Sequence, residues 1–146
     1  MIRLAIQAKG RLNEESVEML AEAGITVEQS KRKLLSRSED FPLEILYLRD
    51  DDIPQAVSMG VADIGIVGLN EVRENDLEVI IEHNLGFGKC RLSLAIPKNV
   101  EYTGLEYFKD KRIATSYPVI LNKFFKEIGI VPEIHKIAGS VEIAPT

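Results

Sequence analysis

The chain has a single cysteine, Cys90, among 146 residues. No internal disulfide can form, and a reducing compartment is the expected setting. No apolar run approaches the ~18 residues of a membrane-spanning helix. The first residues lack the basic, apolar and small-residue order of a secretory signal. A soluble cytoplasmic protein with no membrane partner is therefore expected. Basic surface is short as well: 18 Lys and Arg stand against 23 Asp and Glu, a net charge of −5. Broad, sequence-independent nucleic-acid binding needs the opposite balance. The two histidines, His83 and His135, lie in unrelated segments, so they are read as ordinary residues and not as metal ligands or general bases. No P-loop, G-x-G-x-x-G or G-x-S-x-G pattern occurs. Internal repeats and low-complexity tracts are absent too.

What is present is a core. Apolar residues make up 45% of the chain, and its length suits one domain or two small lobes. The organising stretch is Arg49 to Asn70, read either as an ordinary αβ unit with a capped helix or as a ligand cleft whose rim carries Arg49, Asp50 and the turn after Gly68. Asp50, Asp51 and Asp52 precede Ile53-Pro54, a helix start signal. Ile53, Ala56 and Val57 share one helical face, and Gly60 stands where a terminating glycine belongs. Ala62 to Gly68 then reads as a short buried strand, with Gly65 and Gly68 leaving room for a close approach. Before this stretch, Ile2, Leu4 and Ile6 mark a first strand. A helix follows with Asn13 as its N-cap and Gly24 as its end. Leu34-Leu35 and Leu43 to Leu48 read as strands. After it, Glu71 to Asp76 reads as charged and exposed, while Leu77 to Ile81 and Cys90 to Ile96 read as strands. Leu105 to Phe108 is a helical turn, Arg112 to Thr115 a strand, and Val119 to Ile128 a helix stopped by Gly129. Glu133 to Ile137 is the last strand. This alternation predicts an α/β architecture with mainly parallel sheets. A break near Gly86 to Arg91 divides it into a first lobe, 1–90, and a second, 91–146, with a ligand cleft expected between them.

Three polar loops fall at the C-terminal ends of strands, where such sheets bind ligands. Lys9 and Arg11 flank Gly10 at a helix start, which suits an anion such as a phosphate. The same spacing fits two solvated surface charges. Thr115-Ser116-Tyr117 offers hydroxyls and N–H groups before Pro118, and an ordinary ST-type cap would look alike; Gly139-Ser140 is equally open. Asp50 to Asp52 could hold Mg²⁺ through substrate phosphates, or could complement a helix dipole. Cys90 lies between two cations, Lys89 and Arg91, but no Cys–His signature accompanies it, so no nucleophile is assigned. Spacing alone supports a two-lobed α/β protein with an anion site.

Six blocks in order carry more. These are KGRL at Lys9 to Leu12, RDDDIP at Arg49 to Pro54, and G-x-A-D-x-G-I-x-G at Gly60 to Gly68. Then come G-K-C-R-L-S-L-A at Gly88 to Ala95, R-I-A-T-S-Y-P at Arg112 to Pro118, and G-S-V-E-I-A-P at Gly139 to Pro145. Together they resemble the ATP phosphoribosyltransferases, which catalyse the first step of histidine biosynthesis. The RDDDIP form resembles the long, hexameric, histidine-inhibited subfamily.

The resemblance implies a fold like the type II periplasmic binding proteins, with two α/β lobes around a cleft. It implies attack of the ATP adenine N1 on C1′ of phosphoribosyl pyrophosphate, with pyrophosphate leaving alongside Mg²⁺. That chemistry needs no protein nucleophile and works by positioning and charge neutralisation. Lys9, Gly10 and Arg11 would then contact substrate phosphates, Arg49 and Asp50 would line the nucleotide side of the cleft, and Glu142 would sit near the ribose; Cys90, Arg91 and Thr115 are assigned to the cleft wall. A homo-oligomer, dimer to hexamer, is implied for the full-length form. In the family, a D-L-V-x-S/T-G-x-T-L phosphate loop follows the last block. The chain stops at Thr146, so it reads as an N-terminal fragment that does not turn over unaided. The competing reading is a non-catalytic module of the same fold that binds small anions.

Overall fold

The computed structural model describes residues 1–28 and 34–139. Its contacts divide the chain into two compact units, Met1–Cys90 and Arg91–Thr146.

The first unit is built on a four-stranded sheet in the order β2-β3-β1-β4. The strands are β1 (Ile2–Gln7), β2 (Leu35–Arg37), β3 (Leu43–Leu48) and β4 (Ile64–Gly65). β1 runs parallel to β3 from Ile2↔Leu43 through Gln7↔Leu48, and parallel to β4. The edge strand β2 is antiparallel to β3. Central strands covered on both faces need apolar residues at nearly every position. On one face Leu4, Ile6, Leu43, Ile45 and Tyr47 pack with Leu20, which belongs to α1 (Arg11–Glu22). On the other, Ala5 packs with Ile53 and Ala56 of α2 (Ile53–Ser58). Gly65 shows why that second layer closes so tightly. A Cβ there would sit 2.6 Å from Ile53 Cγ2 and 3.1 Å from Val57 Cγ2, so α2 lies directly on the glycine.

A buried carboxylate interrupts the second face. Glu44 is 5% exposed and accepts Arg3 Nε at 2.8 Å and Arg37 Nε at 3.2 Å. The register sets Arg3 and Arg37 on either side of it, on β1 and β2. A buried carboxylate is tolerable only with such partners. Chiefly through the Arg3 bond, its pKa is held below the ordinary 4.5.

The second unit pairs β5 (Arg112–Thr115) in parallel with β6 (Glu133–Lys136). Between them runs α4, Pro118–Ile128, opened by proline and closed by Gly129 at φ 73. Its core is Phe108, Phe125 and Ile130, with Leu121 packed against them. Phe124 and Ile128, at the same helical spacing, remain 39% and 40% exposed.

Several expectations need correcting. The first helix starts at Arg11 with Gly10 as its N-cap at φ 99, not at Asn13. The glycine adopts a backbone that other residues avoid, so the turn tightens earlier. Asn13 instead donates Nδ2 to the Gln7 carbonyl at 2.7 Å, tying the helix back to β1. The strand expected at 62–68 is reduced to Ile64–Gly65. Leu77 to Ile81 and Cys90 to Ile96 form no strand in the described residues. Alternating side chains make a strand only where a neighbour supplies the ladder. Glu71 to Asp76 is exposed only in part, at Arg73 and Asp76. Residues Leu69–Asn75 form α3, and Glu71 is buried.

Candidate functional site

The parallel arrangement in the first unit sends the C-terminal ends of β1 and β3 to the same side of the sheet. Each ends in a loop that turns into a helix. After β1, Lys9 is exposed in the loop, Gly10 makes the turn, and Arg11 opens α1. After β3, Arg49 precedes a single 3-10 turn, Asp50–Asp52, which runs straight into α2. That turn answers the acidic run: the Asp51 N–H donates to Asp50 Oδ1 at 3.0 Å, and Arg49 Nε lies 3.3 Å from Asp51 Oδ1. None of the three carboxylates caps α2 through its side chain.

These loops and the glycine-flanked ends of two later segments enclose a hollow of about 330 Å³. Its walls take Arg11 and Leu12 from α1, Asp50 from the 3-10 turn, and Gly68, Asn70 and Glu71 from the start of α3. Gly88, Lys89 and Cys90 close it. Phe87 anchors that last wall by packing on the core cluster beneath α1. Charge of both signs therefore meets in one concavity, with two cations, two carboxylates and an amide. Such a lining suits a ligand bearing phosphates and hydroxyls.

Three of the residues singled out from sequence, Arg11, Asp50 and Cys90, come together in this hollow. Lys9 and Gly10 lie just before it in the chain. Arg49 is exposed and paired with Asp51. Cys90 is a free, exposed thiol. Arg91 and Thr115 belong to the second unit. There Thr115 Oγ1 accepts the Tyr117 N–H at 3.0 Å, and Ser116 Oγ donates to the Ile137 carbonyl at 2.8 Å. The Thr115 hydroxyl thus makes an ST-type turn between β5 and α4, while the Ser116 hydroxyl ties that turn to the segment after β6. Glu142 and Ser140 lie outside the described residues. His135 Nε2 lies 2.8 Å from Glu133 Oε1 on the exposed β6.

Sequence reasoning set the turn after Gly68 on a ligand rim but did not single out Asn70 or Glu71 within it. What went unread is that a glycine-spaced strand ending at Gly68 hands its next residues to a helix start, α3. Glu71 was instead read by its charge alone.

No helix in the described residues is long and apolar enough to cross a membrane. The family profile described as ATP phosphoribosyltransferase (HisG) matches residues 49–146. An ATP phosphoribosyltransferase of Bacteroides thetaiotaomicron is 57% identical over 145 residues, covering 99% of this chain and 51% of that protein. The Phocaeicola vulgatus counterpart is 59% identical over 147 residues, with the same coverage. Among solved structures, the ATP phosphoribosyl transferase (HisG:HisZ) complex from Thermotoga maritima superposes with a TM-score of 0.70 at 27% identity, over 99% of this chain and 68% of that one. The chain spans about half the length of the curated relatives it matches. With two thirds of its residues under the profile and more than half identical to those enzymes, the chain belongs to the ATP phosphoribosyltransferase family.

Proposed function

We propose that this chain supplies substrate-binding machinery to an ATP phosphoribosyltransferase, the enzyme of the first step of histidine biosynthesis. The two units are read as two α/β lobes, 1–90 and 91–146, of a fold like the type II periplasmic binding proteins. The reaction joins N1 of the ATP adenine to C1′ of phosphoribosyl pyrophosphate. The C1′–oxygen bond to the diphosphate breaks, and pyrophosphate carries away the electron pair. No covalent protein intermediate is needed. The protein's task is to align two polyanions and to neutralise the departing charge.

The hollow in the first unit carries this reading. It draws Arg11, Asp50 and Cys90 from three separate family blocks into one lining that also holds Lys89 and Glu71. Lys9 and Arg11 are the cations for phosphate oxygens, with the Gly10 backbone free to approach them. Arg49 and Asp50 face the nucleotide, Cys90 shapes the wall, and Glu142 is assigned to the ribose by the family resemblance alone. Arg91 and Thr115 remain substrate-binding candidates of the second unit. Mg²⁺ travelling with the diphosphate would spread the leaving group's charge. Any carboxylate contact to that ion would come from the acidic run Asp50 to Asp52, of which Asp50 lines the hollow, since a hard cation needs few protein carboxylates when phosphates complete its shell. Assembly as a homo-oligomer, dimer to hexamer in the full-length form, is part of this reading; the solved relative is itself a complex of HisG with a second chain, HisZ.

Calorimetric titration of the chain with ATP and with phosphoribosyl pyrophosphate tests the proposal. Binding is expected for the unmodified chain. Arg49→Ala should weaken ATP by about tenfold, the scale of one charge-assisted contact. Its effect on stability should stay within ~0.5 kcal/mol, since the Arg49–Asp51 pair is exposed. Unchanged ATP affinity in that variant would remove Arg49 from the site.

A further inference from the structure

Arg11 and Glu15 stand one turn apart on α1, on a shared face of the helix. Arg11 Nε donates to Glu15 Oε1 at 3.2 Å. A bond through Nε leaves the two Nη groups available to another acceptor. The Arg11 side chain is 85% exposed and that of Glu15 only 23%, so an untethered guanidinium would range through solvent. The other oxygen, Glu15 Oε2, is buried and has no hydrogen-bond partner in the described residues. Beside it lies Gly88: a Cβ there would sit 3.8 Å from this oxygen and 3.0 Å from Leu12 Cδ1. Glu15 is thus wedged between Arg11 and the Gly88 segment, two walls of the same hollow. A carboxylate needed only as a surface partner would keep both oxygens in water, because burying one without a donor is unfavourable.

We propose that Glu15 is a positioning residue: it holds the Arg11 guanidinium at the hollow with its Nη groups turned to a diphosphate, and seats the Gly88 segment opposite. The proposal rests on reading the hollow as the substrate site. The diphosphate can belong to ATP, to phosphoribosyl pyrophosphate or to the released pyrophosphate, and the recognising chemistry is the same.

The sign of one effect decides the matter. A carboxylate beside an anion site repels the anion, so its removal should tighten binding by simple electrostatics. Loss of a positioning contact should do the reverse. The chain is titrated with inorganic pyrophosphate, ATP and phosphoribosyl pyrophosphate, each against Glu15→Ala, Arg11→Ala and the double variant. Glu15→Ala is expected to weaken the probes that bind the unmodified chain by roughly threefold or more. The double variant should bind no worse than Arg11→Ala alone, because contacting residues couple. Glu15→Met, which preserves the volume of the buried stem, should repeat the result if Glu15→Ala melts without cooperativity. A purely structural role would shift the melting temperature and leave the two losses additive. Equal or tighter binding by the Glu15 variants overturns the proposal while leaving the function intact. Failure of the unmodified chain to bind any of the three probes overturns both.

Discussion

Gly65 is the residue on which the first unit's second layer closes. With no Cβ it lets Ile53 and Val57 rest on the sheet, and the space a methyl would need is already occupied at 2.6 and 3.1 Å. Gly65→Ala is therefore expected to destabilise the fold by about 1–3 kcal/mol through overpacking, read as a lower urea midpoint with an unchanged slope. Glu44 presents a different residue-scale case. Its pKa is lowered in the folded chain, first by the Arg3 hydrogen bond and then by Arg37. A group depressed by folding stabilises above its unfolded value and loses that stabilisation as pH falls through the folded one. The melting temperature of the chain should thus exceed that of Glu44→Gln above pH 4.5, the ordinary value. The gap should shrink progressively below it. Thermal melts between pH 3 and 7 check this; a gap independent of pH would show that the arginines do not act on the ionised form.

At the scale of elements, the C-terminal ends of three helices were easy to place and strands were not. Gly24, Gly60 and Gly129 all adopt positive φ just past their helices, as their position after an apolar stripe suggests. Pro118 opens α4 for an equally local reason. Strands depend on neighbours. β3 spans Leu43–Leu48 and β5 spans Arg112–Thr115, as their patterns imply, because each has a partner along its length. The alternation at 77–81 and 90–96 is as clear, yet no ladder forms there in the described residues. Within the second unit the core is small, and Phe125, at 1% exposure, is its centre against Phe108 and Ile130. Phe125→Ala is expected to cost about 3–5 kcal/mol, whereas Phe124→Ala, on the half-exposed side, should cost less than half of that. Circular dichroism during urea titration distinguishes the two.

For the whole molecule, the informative quantity is coverage. The curated relatives are about twice as long as the matched stretch. Substrate contacts can be complete in one hollow while the reaction still needs groups from elsewhere. The 146-residue chain is accordingly expected to bind substrates without measurable turnover. Joined to the remaining half of the Bacteroides thetaiotaomicron relative, it should release pyrophosphate. Equal rates for the two would show that the catalytic groups are already present here.

From the amino-acid order alone one can derive the α/β class, the parallel preference and the ends of three helices, because these follow from local periodicity and turn chemistry, and six short blocks carry the resemblance to the family. Folding alone decided that Glu71, charged and apparently a surface residue, is buried in the wall of a hollow. It also decided that Asn13 anchors β1 instead of capping a helix, and that Glu15 lies between Arg11 and Gly88. Each of these depends on which segments approach one another in space, and a side chain's burial and partners are set by that approach, not by its neighbours in the chain.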